Sequence, residues 1–112
     1  MQRNYQQYKR LAAMDKKQAI DIVKSYKQEI LTFFPNCKIF LYGSYSKGTA
    51  TSASDIDVAV VVADSSVSNW FDSVKKLWKS SRKINSLIEP VLIDERQSSP
   101  LYDEILRSGI AI

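Results

Sequence analysis

The segment from Asp55 to Ala63 limits the folds open to this chain more than any other part of the sequence. It consists of Asp-Ile-Asp-Val-Ala-Val-Val-Val-Ala, and this succession of β-branched residues predicts a strand. Its apolar run, Val58–Ala63, is too short to cross a bilayer. We therefore expect a strand within a sheet that helices cover.

The segments before and after this strand alternate between helical and extended patterns. Asp15 and Gln18 form a capping-box pattern that predicts the start of a long helix, which is expected to end before Pro35. Strand-forming residues follow in Lys38–Tyr42, and a third strand is expected over Ser86–Ile93. The sequence therefore predicts one strand before and one strand after this central strand along the chain.

A second helix is predicted after the central strand, with Ser68 as its N-cap. Its apolar residues recur at the spacing of one helix face, and we expect that face to pack against the core: Trp70, Phe71, Val74, Leu77 and Trp78. A last helix is expected over Leu101–Arg107, and Gly109 is expected to end it.

The order of these elements indicates an α/β (α+β) domain, in which helices flank a small sheet. The length of 112 residues is common for a single domain. Residues 1–14 are polar and show no clean apolar stripe, so we assign them to an N-terminal extension. Residues 15–112 are expected to form the folded domain.

Histidine is absent from the chain, and cysteine occurs once, as Cys37. An internal disulfide, a cluster of zinc ligands and the Ser-His or Cys-His nucleophile pairs are therefore excluded. Catalysis would have to use carboxylates, hydroxyls, lysines and metal ions.

The formal net charge of +4 suits anionic ligands but is also ordinary for a soluble protein. Because no signal-peptide pattern opens the chain, we expect a cytoplasmic protein without membrane association.

Two acidic residues, Asp55 and Asp57, stand at the head of the predicted central strand. Side chains two positions apart in a strand share one face, so both carboxylates are expected to point to the same spot. Like charges held close together are unfavourable unless a cation neutralises them, and oxygen ligands favour a hard ion such as Mg²⁺. Two surface aspartates at a strand entrance are nevertheless common, so this pair alone does not establish a metal site.

A glycine-containing turn, Gly43-Ser-Tyr-Ser-Lys-Gly48, precedes the acidic pair. If Ser44 begins a helical turn, its hydroxyl and the neighbouring amides form an anion-binding site. Lys47 would add positive charge suited to a triphosphate. Taken alone, the same residues also fit a simple strand-to-helix turn that needs glycine.

Together, Gly-Ser, ten intervening residues and Asp-x-Asp resemble the signature of the polymerase-beta-like nucleotidyltransferase superfamily. Within it, the sequence is most similar to the minimal nucleotidyltransferase domains, which usually have Gly-Ser-x-Ala-Arg-Gly followed by Ser-Asp-Ile-Asp. Here Ser46 and Lys47 replace the Ala and Arg, and lysine keeps the charge but lacks the planar guanidinium fork. The resemblance spans residues 15–112 and implies the fold of that superfamily, a small mixed sheet flanked by helices.

The resemblance also implies the residues of a site. Asp55 and Asp57 would hold Mg²⁺, with a two-metal site expected. A nucleoside triphosphate such as ATP would be held by three residues of the turn: Gly43, Ser44 and Lys47. The family has a third carboxylate on a neighbouring strand, and Glu89 occupies the corresponding position as metal ligand or proton acceptor. Asp94 and Glu95 are the alternatives to Glu89.

By resemblance, the chain is expected to transfer a nucleoside monophosphate, first of all AMP, to a hydroxyl group on a separate helical toxin of the HEPN family. It would thereby act as an antitoxin. Two alternatives stay open. The chain could be a non-catalytic, nucleotide-binding antitoxin or scaffold subunit, or it could modify a small molecule of the aminoglycoside type. Its oligomeric state is also open.

A cluster of basic residues on the second helix allows a further hypothesis, contact with nucleic acid: Lys75, Lys76, Lys79, Arg82 and Lys83. A solvated helix face explains the same pattern more simply. From the sequence we therefore do not expect nucleic acid as a partner.

Overall fold

The computed structural model describes residues 14–63 and 69–112 of the chain. Its elements, in chain order, are α1 (Lys16–Ile30), β1 (Lys38–Tyr42), α2 (Ser44–Lys47), β2 (Ile56–Val62), α3 (Trp70–Ile84), β3 (Ile88–Asp94), α4 (Pro100–Ser108) and β4 (Ile110–Ala111). The expected α+β class is confirmed. Of the predicted N-terminal extension, residues 1–13 lie outside the described part. Among the helices that are described, none is long and apolar enough to span a membrane.

The strands form one mixed sheet in the order β3-β2-β1-β4. β1 runs antiparallel to both β2 and β4, whereas β2 and β3 are parallel and are joined by the crossover helix α3. β3 lies at one edge of the sheet, which allows Pro90 to occupy it without breaking an interior ladder. β2 is consequently an interior strand.

The side chains of β2 alternate between two packed layers. On one face, Ile56, Val58 and Val60 belong to the main core, which also contains Val23 of α1 and Leu77 of α3. On the other face, buried residues of β2 and β3 pack around one residue of α4: Ala59, Val61, Ile93 and Ile105. By this alternation Asp57 belongs to the face that carries α4.

The first helix begins as predicted. Asp15 accepts a hydrogen bond from the Gln18 amide at 2.7 Å, and the Gln18 side chain accepts one from the Asp15 amide at 2.9 Å. Deeper in the core, the Tyr26 hydroxyl donates to the Leu77 carbonyl at 2.7 Å. This buried bond joins α1 to α3 on the same side of the sheet.

Several predicted boundaries were wrong. α3 is capped by Asn69, whose side chain accepts a hydrogen bond from the Asp72 amide at 3.0 Å, and not by Ser68, which lies outside the described residues. β3 begins at Ile88 because Asn85 and Leu87 form a turn, in which the Asn85 side chain accepts from the Leu87 amide at 2.8 Å. The short strand β4 was not predicted at all.

The aromatic residues of α3 were expected in the core, and this prediction was wrong. Leu77 is buried, but Trp70, Phe71 and Trp78 are 43%, 68% and 39% exposed. Successive residues of a helix are rotated by about 100°, so Phe71 and Trp78 point about 100–120° away from Leu77 around the axis. The core-facing side of α3 carries small buried residues instead: Ser73, Ser80 and Ser81.

Candidate active site

The turn after β1 is shaped by glycine. Gly43 has φ +75° and ψ −148°, a backbone conformation that is essentially confined to glycine. It is also the N-cap of α2, and no side chain caps this helix. Ser44 begins a helical turn, as expected, and the first amides of α2 are available to an anion.

The Asp57 side chain lies directly against this turn. A Cβ atom added to Gly43 would collide with Asp57 Oδ2 and would stand 3.2 Å from Asp57 Cγ. Only a residue without a side chain leaves space for the carboxylate at this position. The structure therefore brings the glycine turn and Asp57 into contact, although twelve residues separate Ser44 from Asp57.

The register of the sheet places three site side chains in a row. Tyr42 of β1 is paired with Asp57 of β2, and Asp57 is in turn the neighbour of Glu89 of β3. Side chains of directly paired residues share a face, so Glu89 lies on the same face as Asp57. Asp55, just before β2, is close enough to Glu89 for a side-chain hydrogen bond. Asp55, Asp57 and Glu89 thus lie at the same end of the neighbouring strands β2 and β3.

The two alternatives to Glu89 lie at the other end of β3. Asp94 is in register with Val62, five residues along β2 from Asp57, which corresponds to about 16 Å of strand. Glu95 forms an ion pair with Lys38 at 3.3 Å. Neither carboxylate belongs to the group around Asp57.

Burial and like charge raise the pKa of two of the three carboxylates. For Asp57 the larger cause is partial burial and the second is the negative charge of Asp55. For Glu89, which is largely exposed, loss of hydration is joined by the charges of Asp55 and Asp57 and by the hydrogen bond that the protonated Glu89 carboxyl can donate to Asp55. The neighbouring charges that act on both groups are negative, so the carboxylates repel one another.

The donor set fits a hard divalent cation that is shared with a phosphate ligand. Within residues 14–63 and 69–112, no three acidic or cysteine side chains are grouped tightly enough to form a complete metal centre by themselves. Mg²⁺ does not require one, because it usually binds one or two carboxylates together with water and substrate phosphates. Asp55 and Asp57 supply the carboxylates. The uncapped helical turn beside Asp57 leaves backbone amides open to the phosphates.

The raised pKa of Asp57 predicts a pH-dependent cost to stability. The folded chain binds this proton more readily than the unfolded chain, so Asp57 lowers the free energy of unfolding as the pH rises from the ordinary carboxylate range through its raised pKa. We therefore compare the Tm of Asp57→Asn with that of the wild type in the absence of metal. The difference, variant minus wild type, should be near zero at acidic pH and should become positive as the pH rises through this window. Thermal melts at a series of pH values measure the difference. Asp21→Asn, on the exposed side of α1, is the control, and an Asp57→Asn difference that stays flat would contradict the prediction.

Two residues that the sequence did not indicate adjoin the site. Burial together with the charges of Asp57, Glu89 and Glu104 raises the pKa of Tyr42 to about 12, so its hydroxyl stays protonated. Glu104 of α4 also forms an ion pair with Lys47, with Nζ and Oε2 3.6 Å apart. Only the pairing of β1 with β2 and the position of α4 reveal these neighbours, and neither is encoded by a local motif.

The family comparison covers this whole group of residues. The model of a family described as "Nucleotidyltransferase domain" matches residues 23–106. The match contains the Gly43 turn, the Asp55 and Asp57 pair and Glu89, and it spans most of the chain.

Two curated proteins are similar in sequence. A Methanocaldococcus jannaschii protein, whose name assigns it provisionally as a protein adenylyltransferase, is 26% identical over 96 residues, which cover 83% of this chain and 97% of the relative. The protein adenylyltransferase MntA of Shewanella oneidensis is 38% identical over 74 residues, which cover 63% of this chain and 49% of MntA. The match to MntA therefore spans only about half of that protein.

A solved structure shares the fold. A provisionally assigned nucleotidyltransferase from Sulfolobus solfataricus has a TM-score of 0.62 and 22% sequence identity, over 86% of this chain and 80% of that chain. At this identity, the likeness concerns the arrangement of helices and strands.

Proposed function

The chain belongs to the nucleotidyltransferase domain family, and from this premise we propose that it transfers AMP from ATP to a hydroxyl group of a separate protein. The observation that carries this proposal is the contact of Asp57 with the Gly43 turn, because it places a carboxylate of the acidic pair beside backbone amides that could bind phosphate. A protein acceptor is supported by the names of the two similar proteins, a protein adenylyltransferase and a protein provisionally assigned as one. We propose residues 15–112 as the catalytic unit and the cytoplasm, where ATP is available, as its location.

The triphosphate would be held by the turn and by one lysine. The first amides of α2 and the Ser44 hydroxyl are placed to donate hydrogen bonds to phosphate oxygens. Lys47 would exchange its contact with Glu104 for a phosphate. This exchange is inexpensive, because the two side chains are 44% and 42% exposed and such surface pairs contribute little.

The carboxylates would hold the cation and prepare the acceptor. Asp55 and Asp57 would hold Mg²⁺, which would supply positive charge to offset the negative charge of the triphosphate and of the leaving pyrophosphate. Glu89 is paired with Asp57 in the sheet and lies on the same face, so its carboxylate is placed beside the proposed metal and phosphate site, where a general base is needed. We therefore assign to Glu89 the acceptance of the hydroxyl proton.

In the proposed reaction, the hydroxyl oxygen of the acceptor attacks the α-phosphorus of ATP. The new O–P bond forms as the bond from the α-phosphorus to the bridging oxygen of the β-phosphate breaks, and pyrophosphate leaves. The hydroxyl proton passes to a carboxylate oxygen of Glu89. The chain contributes mainly by positioning and by electrostatics, as is general for phosphoryl and nucleotidyl transfer.

For the acceptor we propose a helical toxin of the HEPN family, which AMP transfer would inactivate. The resemblance to minimal nucleotidyltransferase domains supports this partner, because such domains are paired with HEPN proteins.

The proposal is tested by incubating the product of the neighbouring gene with this chain, Mg²⁺ and, in turn, each of the four nucleoside triphosphates. Intact-protein mass spectrometry then measures the mass of the partner. We expect the partner to gain the mass of one AMP with ATP only, and to lose its toxicity in proportion to the modified fraction. Omission of Mg²⁺ should prevent the gain. A partner that is neutralised at equal stoichiometry without any mass gain would instead identify a binding antitoxin.

A further inference from the structure

The outward side of α3 combines exposed aromatic rings with positive charge. We define the aromatic-basic face by five residues that lie within an arc of about 100° on the helix surface: Phe71, Lys75, Trp78, Lys79 and Arg82. The rings of Phe71 and Trp78 are 68% and 39% exposed. Large aromatic side chains in such a position commonly mark a surface that contacts another molecule.

The charge of the chain is concentrated on this helix. α3 contains five basic residues and one acidic residue, an excess of four that equals the formal net charge of +4 of the whole chain. The rest of the chain therefore has as many acidic as basic residues. Lys79 and Arg82 have no ion-pair partner among residues 14–63 and 69–112, and the pair between Lys75 and Asp72 is exposed at 3.5 Å.

We infer that the aromatic-basic face binds single-stranded nucleic acid, with phosphates on Lys75, Lys79 and Arg82 and a base stacked on Trp78. Basic side chains that follow a strand and aromatic rings that stack on its bases are the two elements of sequence-tolerant single-strand binding. Lys75 Nζ lies 4.8 Å from the centre of the Phe71 ring, so this ring already contacts a cation. The Trp78 ring is therefore the one that we assign to base stacking.

The composition of the face favours nucleic acid over other anionic partners. Four of the five basic residues of α3 are lysines, which contact phosphates but are depleted at the centres of protein interfaces. Lys75 stands between the two rings along the helix and Lys79 follows Trp78 directly, so insertion of the rings into a membrane would bury these charges with them. A second copy of the same positive face would be repelled.

This surface is distinct from the candidate active site. α3 packs with α1 on the face of the sheet opposite to Asp57, through Leu77 and the hydrogen bond from Tyr26. Substitutions on the aromatic-basic face therefore leave the Gly43 turn and the carboxylates in place. The inference is independent of AMP transfer, and each can fail without the other.

Fluorescence anisotropy with labelled oligo-dT and oligo-U of about ten nucleotides tests this inference. Three phosphate contacts at about 0.7 units of slope each predict that affinity falls about 20-fold between about 50 mM and about 200 mM salt. Lys79→Gln with Arg82→Gln should lower the salt slope by about 1.4. The matched control, Lys16→Gln with Lys24→Gln, removes the same charge from exposed positions of α1 and should keep the slope of the wild type.

Tryptophan fluorescence locates the bound strand, because both tryptophans of the chain, Trp70 and Trp78, are on α3. In Trp70→Phe, the remaining Trp78 signal should be quenched by either oligonucleotide, and Trp78→Ala should weaken binding about tenfold. Circular dichroism confirms that each variant is folded. The inference is overturned if no binding occurs at about 50 mM salt, or if the Lys79 and Arg82 variant keeps the slope of the wild type. It is equally overturned if Trp78 responds to phosphatidylserine vesicles or polyglutamate but to neither oligonucleotide.

Discussion

Asp57→Asn should abolish AMP transfer and at the same time stabilise the metal-free chain at neutral pH. The carboxylate lies between the Gly43 turn and Glu89, where it is repelled by Asp55. Asparagine has the same shape but no charge, so it removes the repulsion together with a proposed ligand of Mg²⁺. We expect a loss of transfer of about 1,000-fold or more, equivalent to about 4 kcal/mol of transition-state stabilisation.

The two effects are measured on the same samples. Transfer is followed by the mass gain of the acceptor, and stability by thermal melts with and without Mg²⁺ and ATP. At about 100 times its Kd, the bound nucleotide should stabilise the wild type by about 2.7 kcal/mol, and Asp57→Asn should show little of this gain. Glu95→Gln is the control, because it removes a carboxylate at the opposite end of β3 and should leave transfer intact. A folded Asp57→Asn protein with wild-type transfer would refute the role of Asp57.

Features that depend on neighbouring residues were predictable from the sequence. The valine run of β2 and the capping box at Asp15 follow from strand propensity and from local hydrogen bonding. The glycine turn was also predictable, since glycine adopts a positive φ more readily than other residues. These signals were sufficient for the α+β class, whereas the metal-binding and nucleotide-binding roles of the site residues stay predictions.

Features that depend on packing between distant segments were not predictable. The pairing of Tyr42 with Asp57 and the approach of Glu104 to Lys47 require the strand order and the position of α4. The two-residue strand β4 is too short to show a periodic pattern. It forms because the backbone of β1 at Phe40 and Leu41 is free to pair with a further strand. The apolar spacing on α3 indicated a helix correctly but did not show that buried serines, rather than its rings, face the core.

Gly43→Ala should damage both the fold and the site, because two separate penalties meet at this position. The backbone conformation of Gly43 is strained for any residue with a side chain, at about 1–3 kcal/mol. In addition, the new methyl group would occupy the space of Asp57 Oδ2 and displace the carboxylate. Since a displacement of about 1 Å can cost about 100-fold in rate, we expect transfer to fall at least that far, together with a lower Tm.

Gly48→Ala separates backbone strain from collision. Gly48 also has a positive φ, +77°, but a Cβ atom there would meet no atom within 4 Å. We expect Gly48→Ala to lower the free energy of unfolding by about 1 kcal/mol and to retain most of the transfer activity. A double-mutant cycle completes the test, because Asp57→Ala should restore part of the stability lost in Gly43→Ala by removing the group with which the methyl collides. If Asp57→Ala changes stability equally in both backgrounds, the carboxylate does not occupy the space above Gly43, and the proposed union of metal ligands and phosphate turn fails with it.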